Sequence, residues 1–239
     1  MLNGLWGTEI REEVGINIKN ESSLHNQIKS WYGKEDDRFE VRVGDYIIDI
    51  VRDNQLIEIQ TANFSAIKNK IKVLLKDYPV RLVYPVCKEK TIITVEKNGE
   101  IVSKRKSPKK DSFLSLFDEL VYCPELINEE NFSVEVLLIK AEEIRCKDGK
   151  GSWRRNGVSI VDRYLLDVFQ SKVFNNKEDF ISFLPKGLEI PFTNKILSEV
   201  LSISVYKARK ISYCLKKMNC IEAVGKQGNA ILYTVKPSN

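Results

Sequence analysis

The chain has 239 residues, enough for one large domain or two small ones. Hydrophobic residues make up 43% and charged residues 30%, which supports a packed core and excludes a chain disordered by composition, while the net charge of +5 is a mild bias toward anionic partners. It has no apolar run of about 18 residues, no signal-peptide pattern and no CxxC cysteine pair, so we expect a cytoplasmic protein with no membrane segment and no zinc site.

The first half of the chain predicts an α/β domain with one mixed central sheet flanked by helices. A helix over SSLHNQIKSWYG begins at a serine cap and ends at Gly33, and its Leu24, Ile28 and Trp31 form an apolar stripe. Three strands follow, in RFEVRVG, YIIDIVR and LIEIQTA, and then a helix in NFSAIKNKIKVLLKDYP. VRLVYPV is typical of a central strand buried on both faces, and KTIITVEKNGEIVSK predicts a hairpin with an Asn-Gly turn.

The middle of the chain alternates basic loops with further elements. KRKSPKK, residues 104–110, holds five basic residues in seven. We expect SFLSLFDELVYC to form a helix, FSVEVLLIKAEEIRC a strand, and KDGKGSWRRNG a glycine-rich basic loop. Trp153 of that loop is expected to fill a domain junction, with stacking on a nucleobase as the alternative. Residues 161–176 are expected to form a helix that bridges two domains.

Residues 177–239 predict a second domain. Three helices, in KEDFISFLP, NKILSEVLS and SVYKARKISYCLKKMN, precede a hairpin in IEAVGKQGNAILYTV. This is the order of a winged helix-turn-helix, in which the third helix enters the major groove and basic residues contact phosphates. A winged helix that binds protein is the alternative. The candidate DNA-binding residues are Lys207, Arg209, Lys210, Lys216, Lys217, Lys226, Arg154 and Arg155.

Asp49 and Glu58 are the candidates for chemistry. Side chains two apart in a strand face the same way, so Glu58 and Gln60 project together, and a short connection places Asp49 on the neighbouring strand. Two carboxylates at adjacent strand ends can hold Mg²⁺ or Mn²⁺, with the Ile59 carbonyl as a further ligand. By spacing alone such a pair is more often structural. Their apolar surroundings favour a functional site, because a buried carboxylate is costly unless it binds something.

The pattern Asp49 … Glu58-Ile59-Gln60, between apolar strands and ahead of a lysine-bearing helix, resembles the PD-(D/E)xK nuclease superfamily over about residues 20–95. RVGDYIIDIVRDNQLIEIQTANFSAIKNKIKVLL, RKSPKK and GSWRRNGVSIVDRYLLDV more narrowly resemble a prokaryotic family, without established activity, that joins such a core to a C-terminal winged helix. The resemblance implies a restriction-endonuclease-like fold over residues 1–160 and DNA hydrolysis that leaves a 5′-phosphate.

Gln60 departs from the superfamily, which usually has lysine there. Lys68 or Lys70 of the next helix would then supply the amine, and the acidic residue often found on the first helix would fall near Glu21 or His25. His25 by itself is more often a helix-surface residue than a catalytic base.

The expected function is therefore a metal-dependent DNA endonuclease, in which the winged helix places duplex or branched DNA. Cutting both strands with one site per chain favours a homodimer. The alternative is a catalytically inactive, nuclease-like protein that binds DNA as a regulator, and Gln60 is the residue that favours it.

Overall fold

A computed structural model of the protein describes residues 22–237. No helix within this range is both long and apolar enough to cross a membrane. Short 3₁₀ turns lie at Phe113–Leu116, Pro124–Asn128 and Trp153–Arg155. The helices and strands are, in order, α1 Ser23–Tyr32, β1 Arg38–Val43, β2 Tyr46–Arg52, β3 Gln55–Ile59, α2 Phe64–Leu74, β4 Val80–Val95, β5 Ile101–Lys106, α3 Phe117–Leu120, β6 Phe132–Cys146, β7 Ser159–Phe174, α4 Lys177–Ile181, α5 Asn194–Val200, α6 Val205–Lys217, β8 Ile221–Gln227 and β9 Ala230–Val235.

One seven-stranded mixed sheet organises the chain. Its strand order is β1-β2-β3-β4-β6-β7, and β5 pairs with the second half of β4. The central strands β3, β4 and β6 run parallel, whereas β1–β2, β2–β3 and β6–β7 are antiparallel pairs. The predicted α/β class, with a mixed central sheet flanked by helices, is confirmed.

Two hydrophobic clusters lie on opposite faces of this sheet, because alternate residues of β3, β4 and β6 belong to different clusters. On one face, Leu24 and Ile28 of α1 pack against Ile57, Ile59 and Val83. The larger cluster covers the other face and takes side chains from α2, α3 and the C-terminal helices. The helix predicted in SSLHNQIKSWYG is confirmed, with Ser22 as its N-cap, although Trp31 does not join the apolar stripe and is half exposed.

The C-terminal elements share their core with the sheet. Phe192, ahead of α5, exchanges two backbone hydrogen bonds with Tyr233 of β9, at 2.8 and 2.9 Å. Buried residues of α6, among them Ile211 and Leu215, belong to the same cluster as Phe117 of α3. The three predicted helices and the hairpin of this region are present, and they are packed onto the sheet domain through one continuous apolar cluster.

Residues 161–176 do not form the predicted bridging helix. They lie almost wholly in β7, which pairs with β6 from Ser159 opposite Cys146 to Phe174 opposite Val134. The apolar spacing of this segment fits either helix or strand. Pairing along the long edge of β6 satisfies the backbone of both strands, and this tertiary contact outweighs a local helical preference.

Two neighbouring elements also differ from the sequence prediction. The strand predicted in VRLVYPV and the first strand of the following hairpin are one 16-residue strand, β4, with a bulge between Cys87 and Glu89. The helix predicted in SFLSLFDELVYC is a 3₁₀ turn followed by the four residues of α3.

Candidate functional site

The two candidate carboxylates lie where regular pairing between β2 and β3 ends. The last paired residues are Ile50 and Ile57, so the next pair along the strands would be Asp49 and Glu58. Asp49 Oδ2 instead accepts the backbone N–H of Ile59 at 2.8 Å. The Asp49 carboxylate is therefore held beside the Glu58–Ile59 peptide, and this places the two acids together at one end of β3.

His25 of α1 contacts Asp49 from the opposite side. Its Nε2 lies 3.3 Å from Asp49 Oδ2, and both side chains are largely buried. Burial by itself raises the pKa of Asp49, but the hydrogen bonds from His25 and the Ile59 N–H hold it below its ordinary value. Asp49 is thus an ionised carboxylate at neutral pH, and His25 belongs to the site.

Glu58 is buried, with 6% of the residue exposed, and Lys70 of α2 is its partner. Lys70 Nζ lies 2.6 Å from Glu58 Oε1 and donates to the Ile47 carbonyl at 2.6 Å. Burial raises the pKa of Glu58 to about 7, with a smaller upward contribution from Asp49, although Lys70 acts to lower it. One ammonium group therefore does not fully offset the cost of this buried carboxylate.

Of the two lysines predicted to replace the missing strand lysine, only Lys70 reaches Glu58. Lys68 Nζ pairs with Glu125 Oε1 at 2.6 Å and donates to the Tyr122 carbonyl at 3.3 Å. Side chains two residues apart on a helix do not face the same way, so one turn of α2 cannot direct both amines to the same carboxylate.

Gln60 directly follows β3, and its side chain contacts the loop that leads into α2. Its Nε2 donates to the Ala62 carbonyl and, at 3.4 Å, to the Asn63 carbonyl. The amide thus supports the connection into α2, where Asn63 adopts a left-handed backbone conformation with φ of 61°. Glu21, which was the alternative to His25 for the first-helix position, lies outside the described residues.

The residues at this site offer a cation two carboxylates and one carbonyl. Within residues 22–237 no group of three His, Cys, Asp or Glu side chains converges as a metal centre. Asp49, Glu58 and the Ile59 carbonyl are all oxygen donors, the ligand type that Mg²⁺ accepts while it keeps several waters. Burial raises the pKa of Glu58 despite the contact with Lys70, so an added positive charge at this carboxylate would favour its ionised form.

The predicted DNA-binding lysines of α6 divide into two groups. Lys207 and Lys210 both pair with Asp118 of α3, the latter at 2.8 Å. Burial raises the pKa of Asp118, but the two lysine hydrogen bonds hold it below its ordinary value. Because these lysine side chains are only 16% and 20% exposed, they hold α6 against the sheet domain instead of extending into solvent.

The exposed face of α6 carries Arg209 and Lys216 together with two tyrosines that the sequence did not single out. Tyr206 is 68% exposed and Tyr213 is 45% exposed. Tyr206 and Tyr213 are seven residues apart with Arg209 between them, and this spacing in the sequence already indicates that the three side chains share one face of the helix. The other predicted residues, Lys217 beside Tyr213 and Lys226 of β8, are also exposed.

Arg154 and Arg155 lie at a different place. They belong to the loop after β6. Ile59 of β3 lies opposite Val83 of β4, and Val83 lies opposite Glu135 of β6, so Glu135 is the residue of β6 nearest in register to the site. From there β6 continues to Cys146, about 35 Å further at about 3.3 Å per residue. The two arginines therefore do not join Asp49 and Glu58. Trp153 beside them does not fill a domain junction, because it is 82% exposed.

Comparison with known proteins places the sheet domain in a family. The profile of a family described as a domain of unknown function, DUF8091, matches residues 22–175. An uncharacterized protein of Treponema pallidum (strain Nichols) is 34% identical over 176 residues, 72% of this chain and 70% of the relative. No solved structure matches the chain. The profile match runs from α1 through β7 and includes His25, Asp49, Glu58 and Lys70, and the chain belongs to the DUF8091 family.

Proposed function

We propose that the protein is a metal-dependent DNA endonuclease that hydrolyses phosphodiester bonds, with a core of the restriction-endonuclease-like type. The observation that carries the proposal is the contact of 2.6 Å between Lys70 and the buried Glu58, next to Asp49. Two acids on adjacent strands and one amine are the residue types of a PD-(D/E)xK site. Here the amine comes from α2 instead of the strand position that Gln60 occupies.

Asp49, Glu58 and the Ile59 carbonyl would hold Mg²⁺ or Mn²⁺. When bound, such an ion acidifies water and offsets negative charge on a phosphodiester. His25 and Lys70 would have different roles at this site. His25 and the Ile59 N–H orient the Asp49 carboxylate, while the Lys70 ammonium places fixed positive charge where the phosphoryl oxygens become more negative.

We infer that residues 177–237 act as a winged helix-turn-helix that places duplex or branched DNA. Support comes from the order of three helices and a hairpin, and from the backbone bridge between Phe192 and Tyr233, which adds a third short strand to the wing. On this proposal DNA meets the exposed face of α6 at Arg209 and Lys216. Lys207 and Lys210 contribute through their contact with Asp118, which sets the position of the helix.

The second candidate function is a DNA-binding protein whose nuclease-like core does not cut. Gln60 favours it, because its amide is engaged by the loop carbonyls and β3 carries no lysine at its end. In that case Lys70 serves only to offset the charge of Glu58.

A cleavage assay separates the two candidates. Purified protein is incubated with supercoiled plasmid and branched DNA in Mg²⁺, Mn²⁺ or EDTA, beside Asp49→Asn and Glu58→Gln. We expect cleavage with a divalent ion that both substitutions abolish, and size-exclusion chromatography with DNA tests the expected dimer. Cleavage that persists in both variants, or its absence under every condition while the parent still binds DNA, would overturn the endonuclease proposal.

A further inference from the structure

The loop between β6 and β7 presents a tryptophan to solvent. Trp153 is 82% exposed, the most exposed large hydrophobic side chain within residues 22–237. A large aromatic group gains from burial, so Trp153 at the tip of this long pair of strands is available to contact a ligand.

The loop is ordered by its own hydrogen bonds. Gly151 N donates to the Gly157 carbonyl at 2.8 Å, and Asn156 N donates to the Trp153 carbonyl at 3.0 Å. A Cβ on Gly151 would lie 1.9 Å from the Val158 carbonyl oxygen, so only glycine permits this close approach. Trp153 is therefore displayed by a defined scaffold, which lowers the entropic cost of binding a ligand.

One guanidinium group lies next to the ring. The Arg154 guanidinium carbon lies 5.5 Å from the centre of the Trp153 ring. Within residues 22–237 neither Lys150 nor Arg154 forms a salt bridge. The Asp148 carboxylate accepts the Lys150 N–H and the Ser159 hydroxyl at 2.9 and 2.8 Å, and these hydrogen bonds, together with the charge of Lys150, lower its pKa. An aromatic plane beside a guanidinium group that forms no salt bridge within residues 22–237 suits a ligand that combines a flat ring with negative charge.

The strands that carry the loop have the same electrostatic character. Residues 88–110 and 140–163 together hold fifteen lysine and arginine residues against seven acidic ones. This excess is larger than the net charge of the whole chain, +5, so the rest of the molecule is net acidic. The charge is thus concentrated on the outer half of β4, on β5 and on the strands that end at Trp153, which favours a long polyanion over a small anion.

We propose that Trp153 stacks on an unpaired base of a single-stranded DNA segment while Arg154 and Lys150 contact its flanking phosphates. The inference rests on the proposed function for its choice of DNA, and it narrows the substrate to DNA with an unpaired region. A separation of about 35 Å from Ile59 along the strands matches about ten base pairs of duplex. Trp153 would therefore detect an opening in the helix about one turn away from the carboxylates.

The test uses fluorescence and binding in EDTA, so that it does not depend on cleavage. Trp6→Phe with Trp31→Phe leaves Trp153 as the sole tryptophan of the chain. We expect an oligothymidylate of about twelve nucleotides to quench its emission in a saturable way, and a blunt duplex of equal length to quench it much less. In the otherwise unchanged chain, Trp153→Ala should weaken oligothymidylate binding about tenfold, whereas Trp153→Phe should retain most of the affinity.

Tyr122→Ala is the matched control, because Tyr122 is an exposed aromatic residue away from this loop, and it should leave the affinity unchanged. Absence of quenching, equal quenching by duplex, or unchanged oligothymidylate affinity in Trp153→Ala would overturn the proposal. Quenching by single strands in a protein that cuts no DNA would support it while rejecting the endonuclease.

Discussion

Lys70 Nζ lies 2.6 Å from Glu58 Oε1, so the helix after β3 supplies the positive charge that β3 itself lacks at Gln60. Lys70→Met should reduce metal-dependent DNA cleavage by about 100-fold or more, because the variant has no fixed charge to stabilise the transition state. Single-turnover cleavage rates measure the effect. Lys72→Met, a substitution at a more exposed lysine near Glu125, is the control and should cleave normally.

The assignment of the amine fails if Lys68→Met abolishes cleavage while Lys70→Met does not. Circular dichroism spectra of the variants exclude a loss of folding as the cause, since Lys70 also binds the Ile47 carbonyl.

Glu58 should make the protein less stable as the pH rises. Its pKa is raised from 4.5 to about 7 in the folded chain, so the folded state binds this proton more tightly than the unfolded state. The carboxyl group is protonated in both states below pH 4.5, and its ionisation costs increasing stability from there up to about pH 7. Glu58→Gln should therefore stabilise the metal-free protein by on the order of 2 kcal/mol at about pH 8, and by little at about pH 4.

Urea unfolding in EDTA at both pH values measures this difference. Glu89→Gln, at an exposed position of β4, is the control and should change the free energy of unfolding little at either pH. An equal effect of Glu58→Gln at both pH values would contradict the proposed cause.

Glu143 should have the opposite pH dependence. It is 1% exposed and pairs with Lys90, Arg145 and Arg163, at 3.1, 2.6 and 2.9 Å. Burial opposes its ionisation, but these cations lower its pKa to about 2 from the usual 4.5. The stabilisation is therefore complete above pH 4.5 and is lost as the pH falls toward 2.

Glu143→Gln should reduce the free energy of unfolding at neutral pH by about 3 kcal/mol, because it removes the buried carboxylate that three partly exposed cations share. Urea unfolding from neutral to acidic pH should show the parent and the variant converging as the pH falls. Glu142→Gln, whose partner Lys104 is exposed, should cost less than about 1 kcal/mol.

The exposed face of α6 should carry the DNA affinity of the C-terminal region. Arg209→Ala with Lys216→Ala should weaken duplex binding and reduce the steepness of its salt dependence, by about one unit of slope for each phosphate that the variant no longer neutralises. Lys207→Ala with Lys210→Ala should mainly lower the melting temperature, because both lysines bind Asp118. Fluorescence anisotropy over a salt series and thermal unfolding distinguish the two pairs. If the Lys207→Ala, Lys210→Ala variant lost more DNA affinity than the Arg209→Ala, Lys216→Ala variant at unchanged stability, the assignment of these two roles on α6 would be wrong.

Much of the fold and part of the site could be predicted because the signals are local. Ser22 and Gly33 bound α1, and the apolar runs around Asp49 and Glu58 predict adjacent strands, since capping and two-residue alternation act over a few residues. β7 could not be predicted in the same way. The apolar spacing of its residues fits both a helix and a strand. The strand forms because β6 provides an edge with which it can pair.

The sequence by itself determined the residue types of the site, two acids in apolar strands followed by a helix with alternating lysines, because composition and short spacing are properties of the chain. The tertiary structure alone decided which lysine reaches Glu58, that His25 reaches Asp49, and that Lys207 and Lys210 face Asp118. Each of these contacts joins residues separated along the chain. Their geometry depends on how helices pack on the sheet, and this packing is set by the whole core.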